Sequence, residues 1–370
     1  MNSSVPNGPW DRWIPGALNR AQVEALRDHG LVTQEGDGLK IQPCSIDLTL
    51  SDEAYEMKEG SVKPSCSKSY DTELRSSGSR ISGSDGTFFL KAKSTYVFRL
   101  REELTRNLGA IGIHGQATAK SSIGRLDVLA RLVVDRMDVY EGFGADCLAE
   151  GSGKMYLEIT PITFNIKVEA GQSLSQLRLF YGAPERSRIE GREVCRTVLR
   201  SEEDVLRLNL DPVDIAGRGV LAYRARRNES PILISVANGS IDPSKYWELV
   251  PDDFSRRIQI ETDKFYILRS LERLWVPDDV AIYCQASDET IGEMRIHYAG
   301  FVHPGFGQAN PEGTPLIFEV RGHQVKASLR HGEKMANLIF YRMSKPDHDK
   351  TPYDKQELKL SKIFAEWPTS

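Results

Sequence analysis

Between Ala119 and Arg125 the chain reads Ala-Lys-Ser-Ser-Ile-Gly-Arg, which sets Lys120, Ser121, Ser122 and Arg125 within six residues at a turn. Two cations, two hydroxyls and the backbone N–H groups between them suit a polyphosphate, because charge-assisted and bidentate contacts to phosphate oxygens are the strong ones. Further on, Val134-Asp-Arg-Met-Asp138 offers Arg136 and Asp138, and Gly171-Gln-Ser-Leu-Ser-Gln-Leu177 offers Gln176. Glu158 stands between them among Tyr156, Leu157 and Ile159. A carboxyl in apolar company is pushed toward its neutral form and can pass protons near neutrality. Arg136 is available to orient that carboxyl or the substrate.

The elements that must hold these groups read as β. From Thr87 to Tyr181 short apolar runs follow one another: Phe88–Leu90, Tyr96–Leu100, Gly109–His114, Val128–Val134, Met155–Thr160, Phe164–Val168 and Ser175–Tyr181. Turn residues part them at short, fairly regular spacing, the pattern of a sandwich or barrel rather than of βαβ units. Ahead of them a helix is expected over Ala17–His29, with Leu18, Val23 and Leu26 on one face and Gly30 to stop it. Ile41–Leu50 ends in strand-like alternation, and Lys58–Gly86, rich in Ser, Gly, Lys and Asp, reads as a mobile surface loop. Ser201–Leu210 reads as a short helix opened by a capping box, with Asp211–Glu229 as a polar, basic inter-domain stretch.

The pattern then repeats. Gly171-Gln-Ser-Leu-Ser-Gln-Leu177 matches Gly332-Glu-Lys-Met-Ala-Asn-Leu338, and Tyr156-Leu-Glu158-Ile matches Ile317-Phe-Glu319-Val. Upstream, Gly142-Phe-Gly144 matches Gly305-Phe-Gly307 and Ser122-Ile-Gly124 matches Thr290-Ile-Gly292. Four matches in one order indicate two copies of one β fold in tandem, over residues 1–210 and 211–370.

Composition bounds the partners. The 370 residues carry 48 basic and 52 acidic side chains, a formal charge of −4, which argues against a chain that lives on nucleic acid or an anionic membrane. No run of ~18 apolar residues is long enough to span a bilayer, and Met1–Trp13 lacks the charge and apolar run of a secretory signal. The five cysteines include no Cys-x-x-Cys pair, so reduced thiols in a cytoplasmic protein are expected. The seven histidines, His297, His303, His323 and His331 among them, lack metal-ligand spacing and read as structural or surface residues.

Taken together, the Ser-Ser-x-x-Arg, Arg-x-Asp, Leu-Glu and Gly-x-x-x-x-Gln-Leu blocks resemble, in their order, the dCTP deaminase branch of the dUTPase-like superfamily. Gln42-Pro-Cys-Ser-Ile-Asp-Leu48 is similar to that family's opening strand. The tandem form looks like its double-domain bacterial members. The resemblance implies an all-β fold with a few short helices, each copy a dUTPase-like distorted jelly-roll or β-barrel. It implies hydrolytic conversion of dCTP to dUTP and ammonia, the precursor chemistry of pyrimidine deoxynucleotides. By its motifs Ser121 and Arg125, with Lys120 where the family usually has Arg, hold the triphosphate and help position water, with Ser122 beside them. Arg136 and Asp138 contact the nucleoside, Glu158 is the general acid/base, and Gln176 supports the phosphates or a closing segment. It further implies no zinc, Mg²⁺ only as the nucleotide's counterion, and a homo-oligomer, trimer-like, with sites between subunits. An end segment closes over the nucleotide in this family, with Gln356, Lys359 and Lys362 as candidate contacts; a solvated terminal helix is the other reading of this stretch. The zinc deaminases' His/Cys-x-Glu and Pro-Cys-x-x-Cys elements are indeed missing from the sequence.

Two departures matter. The family's Asp-Pro-Gly-Trp turn reads Asp138-Val-Tyr-Glu-Gly-Phe143 in the first copy and His303-Pro-Gly-Phe306 in the second. In the second copy Glu289 and Thr290 stand for the two serines, Glu293 for Arg125 and Phe301 for Arg136, so a triphosphate is repelled there. The second copy is therefore expected to be a structural partner, with Glu319 idle. Rival readings are a dUTP diphosphatase, alone or coupled to deamination, and a non-catalytic nucleotide-binding module. Diphosphatase chemistry usually wants acidic Mg²⁺ ligands by the phosphates, and only Asp47 is at hand.

Overall fold

The computed structural model describes residues 7–36, 38–148, 152–235, 239–286, 294–296 (backbone only), 300–346 and 357–368. Two eleven-stranded sheets carry the fold. In the first, the strands run Gly142–Phe143, Ile113–Ala119, Ser173–Tyr181, Ser45–Met57, Tyr96–Leu104, Lys154–Pro161 and Val128–Val134. The second repeats the plan. Val280–Ala286 pairs with Lys334–Arg342 as Ile113–Ala119 pairs with Ser173–Tyr181, with Ala286 opposite Ala336 and Ala119 opposite Ser175. Thr314–Gly322 pairs with Phe265–Leu274 as Lys154–Pro161 pairs with Tyr96–Leu104, so Glu319 faces Ile267 where Glu158 faces Val97. The all-β tandem expectation holds.

One repeat match shifts. Gly142 lies opposite Gln116, and Phe301 lies opposite Tyr283, the equivalent position of the second sheet. Gly142-Phe143 therefore corresponds to Phe301-Val302, not to Gly305-Phe306.

Several local readings are corrected as well. The first helix is Arg20–Asp28, because Asn19 closes a capping box with Gln22; Gly30, at φ +66°, ends the turn that follows it. Lys58–Gly86 is not all loop: Tyr70–Ser77 is helical and Gly78–Ile81 a strand, with Tyr70 and Leu74 buried. Gly109–His114 splits into the end of a helix, Arg106–Ala110, and the start of the strand Ile113–Ala119. Ser201–Leu210 holds a strand, Val205–Asn209. Ser201 Oγ takes only the nearby N–H of Glu203 (3.2 Å), and the apolar alternation beyond it pairs with Lys334–Arg342. Asp211–Glu229 supplies two more strands, Val213–Ile215 and Arg218–Ala225. Since Arg188–Ile189 and Val205–Asn209 already belong to the second sheet, the division at 210 moves back to about Arg188.

The halves share a core. The larger apolar cluster joins Leu157, Ile159 and Val128 of the first to Trp247, Phe265 and Ile267 of the second, and takes in Leu358, Leu360, Ile363 and Phe364 near the chain end. No helix among the described residues is long and apolar enough to cross a membrane.

Candidate active site

The strand Ile113–Ala119 delivers the chain to Lys120 at a cavity where the halves meet. The Lys120 carbonyl accepts from the N–H groups of Ile123 (2.8 Å) and Gly124 (3.0 Å). That coils Ser121–Gly124 into one helical turn and swings Arg125 back toward the cavity. Lys120 Nζ donates to Asp47 Oδ2 at 2.6 Å. Gln176, which pairs with Asp47 on one side and Thr118 on the other, accepts from Ser45 Oγ at 3.4 Å. Lys120, Ser121, Arg125 and Gln176 form the first half's wall. The second half supplies an apolar wall, including Phe301, Val302 and Phe306, and the strand segment Leu316–Glu319. The two walls face each other across one partly open cavity.

Glu319 is the only carboxyl among the described lining residues, and it is 4% exposed. Burial pushes its carboxyl from the usual 4.5 up to about 8, while Arg125, whose Nε lies 4.0 Å from Oε1, pulls the other way. Desolvation wins, because Arg125 also serves the chain end: its Nη1 donates to the carbonyls of Lys359 (3.2 Å) and Leu360 (3.3 Å). Beside Glu319, burial drives the Cys284 thiol up to about 12, which removes it as a nucleophile.

Strand alternation explains how Glu319 comes to be here. In each copy the glutamate points away from its own barrel. Leu157 and Ile159 enter the main core while Tyr156, beside Glu158, joins a separate outer cluster; likewise Phe318 and Val320 fill the second core while Glu319 faces out. An outward carboxyl is covered by whatever docks on it. On Glu319 the first half docks its Lys120–Arg125 turn. Glu158 is covered by its own copy: Arg131 ion-pairs with it, Tyr140 Oη donates to Oε2 at 3.2 Å, and the segment from Ser61 to Tyr70 closes over both.

Within the chain, then, the structure brings together Lys120, Ser121, Arg125 and Gln176 but not Glu158, Arg136 or Asp138. The strand Val128–Val134 carries the chain some ~20 Å from the phosphate-type turn at ~3.3 Å per residue. Arg136, at φ +60°, and Asp138 are exposed on the turn beyond its far end. Ser122 lines no part of the cavity; its carbonyl accepts from Ser361 Oγ at 2.8 Å. Lys359 and Lys362 are exposed, and what the chain end offers Arg125 is backbone. Glu289, Thr290, Glu293 and Gln356 lie outside the described residues. Sequence reasoning set Glu319 aside as idle and took His303 as structural or surface, and the structure lines the cavity with both. The match of Glu319 to Glu158 carried the signal for the first; nothing local carried the second.

A cation-and-hydroxyl turn thus lies beside a desolvated carboxyl, in a cavity between two copies of a β-barrel. The N-terminal domain model of 2′-deoxycytidine 5′-triphosphate deaminase matches residues 14–183, and the C-terminal domain model matches residues 196–364. Among solved structures, the 2′-deoxycytidine 5′-triphosphate deaminase from Agrobacterium tumefaciens is similar with a TM-score of 0.82 and 28% identity, covering 90% of this chain and 97% of that one. A search of curated protein sequences finds no match. The chain belongs to the dCTP deaminases, in their double-domain form.

Proposed function

We propose that dCTP, the substrate of this family, is deaminated in the cavity between the halves. In this reading Glu319 moves the protons, and Lys120, Ser121, Arg125 and Gln176 take the triphosphate end. The reaction is hydrolytic: water adds to C4 of cytosine, ammonia leaves, and uracil remains. Its two water protons end on the departing nitrogen and on N3, so a single group that can both give and take is enough. A carboxyl that titrates near 8 is mostly protonated at neutral pH. It can protonate N3 first, which makes C4 electrophilic, then as carboxylate accept a proton from the attacking water and hand it to the amino group; as the C4–N bond breaks and ammonia leaves, the C4 hydroxyl gives its proton back to the carboxylate and becomes the carbonyl. Phe301, Val302 and Phe306 give the flat base an apolar seat and keep bulk water off the carboxyl.

The observation that carries the reading is Glu319, 4% exposed and in the same cavity as Ser121 and Arg125. Two residues keep the notion of a second site weak: Glu158 is already held by Arg131 and Tyr140. Because both walls come from one chain, a homo-oligomer is not required to complete this site, although trimer-like assembly stays part of the proposal, as does a cytoplasmic setting, which the free cysteines among the described residues suit. Mg²⁺ enters in this reading only with the nucleotide. Incubation of the purified chain with dCTP and Mg²⁺ tests it: dUTP and ammonia should form in equal amounts. Pyrophosphate with dUMP, or binding without product, would reject it.

A further inference from the structure

One wall of the cavity is wired from behind. His303 lines it and is half-buried. Its Nδ1 lies 2.9 Å from Sγ of Cys44, a residue of the other half that does not line the cavity. Arg178, fully buried, donates through Nη2 to the same sulfur (3.5 Å) and to the Val302 carbonyl (3.2 Å), and through Nη1 to the Ile282 carbonyl (3.0 Å). Its guanidinium also lies 4.0 Å over the Phe301 ring. Burial, helped by the charges of Arg178 and Lys120, pushes the His303 imidazole down to about 3, so the ring is neutral and holds a single proton. The sulfur already receives an N–H from Arg178. A thiol there has its own hydrogen to give, and Nδ1, 2.9 Å away, can accept it. Once Nδ1 accepts, the ring proton must sit on Nε2.

We infer that His303 is a neutral Nε2–H donor to an acceptor oxygen of the nucleoside, the base carbonyl or a sugar hydroxyl, and that Cys44 is the positioning residue that fixes this tautomer from the other half of the chain. The inference rests on the cavity being the substrate site. It gives His303, in place of the aspartate of the related turn, a task an aspartate cannot do when ionised, since a carboxylate only accepts.

Nitrogen NMR of ¹⁵N-histidine-labelled full-length protein reads the tautomer directly. The wild type should give an unprotonated Nδ1 and a protonated Nε2, and the His303 signals should move on adding dUTP, the unreactive product. Cys44→Ala should populate both tautomers and raise KM for dCTP about two- to tenfold, the worth of one neutral hydrogen bond, with kcat within twofold. Cys44→Ser, which keeps a donor, should restore both. His303→Gln, with an N–H near the Nε2 position, should bind better than His303→Phe. Against 2′,3′-dideoxy-CTP the His303→Phe penalty disappears if the acceptor is the sugar hydroxyl and persists if it is the base carbonyl. A protonated Nδ1 in the wild type, or His303 signals unmoved by nucleotide while Glu319→Gln abolishes turnover, would overturn the inference and leave the site standing. Retained turnover in Glu319→Gln would remove the site itself.

Discussion

Replacing Glu319 by Gln keeps the shape of the side chain and deletes its proton. At pH 7 a carboxyl titrating at about 8 is protonated in a ratio of about ten to one, so the wild type starts almost entirely as the acid that N3 needs. A positioned acid/base contributes about 10²–10⁴ in rate, and one carboxyl here serves both proton transfers. A loss near the upper end, about 10³–10⁴ in kcat or roughly 4–5.5 kcal/mol, is expected, with KM changed only a few-fold. Stability should move the other way. The folded chain prefers Glu319 neutral, so the cost of ionising it is absent below about 4.5, grows as pH rises toward 8 and is constant above that. Gln has no such cost, and the variant should gain on the wild type by on the order of a few kcal/mol between pH 5 and 9. Ammonia release under saturating dCTP measures the first effect, and urea unfolding at the two pH values measures the second. A variant with kcat within tenfold of wild type, or a stability difference that is flat with pH, would refute the reasoning.

The remaining expectations are briefer. If the acid form of Glu319 starts the reaction, kcat/KM should fall about tenfold per pH unit above about 8; a profile level to pH 10 would count against it. Glu158→Gln should leave kcat within twofold, because Arg131, a third exposed, turns to water when its partner is lost; a drop matching Glu319→Gln would restore Glu158 to the chemistry. Asp127 is fully buried and ion-paired with Arg321 of the other half, so Asp127→Ala should cost about 3–5 kcal/mol, read by thermal or urea unfolding, by stranding a buried cation. Phe364→Ala should cost about 3–5 kcal/mol in the same assay and also weaken dCTP binding, since the neighbouring chain end holds Arg125 through the carbonyls of Lys359 and Leu360.

Much was legible in the residues because it is local. Val128–Val134 appears as the sequence spaces it, and Gly30, at positive φ, closes the turn after the first helix as expected. The errors fall where a long-range partner chose between two local options. Val205–Asn209 is a strand because Lys334–Arg342 waits beside it, and Tyr70–Ser77 is a helix because the outer cluster around Tyr156 buries one of its faces. The site divides in the same way. The amino-acid order determined the chemistry available, the Lys120–Arg125 turn and one outward glutamate per copy, since alternation along a strand fixes which face each side chain takes. Which glutamate meets that turn was decided only when the two barrels docked. Docking buries two outward faces against each other across more than a hundred residues of chain, and no spacing within either copy records that choice.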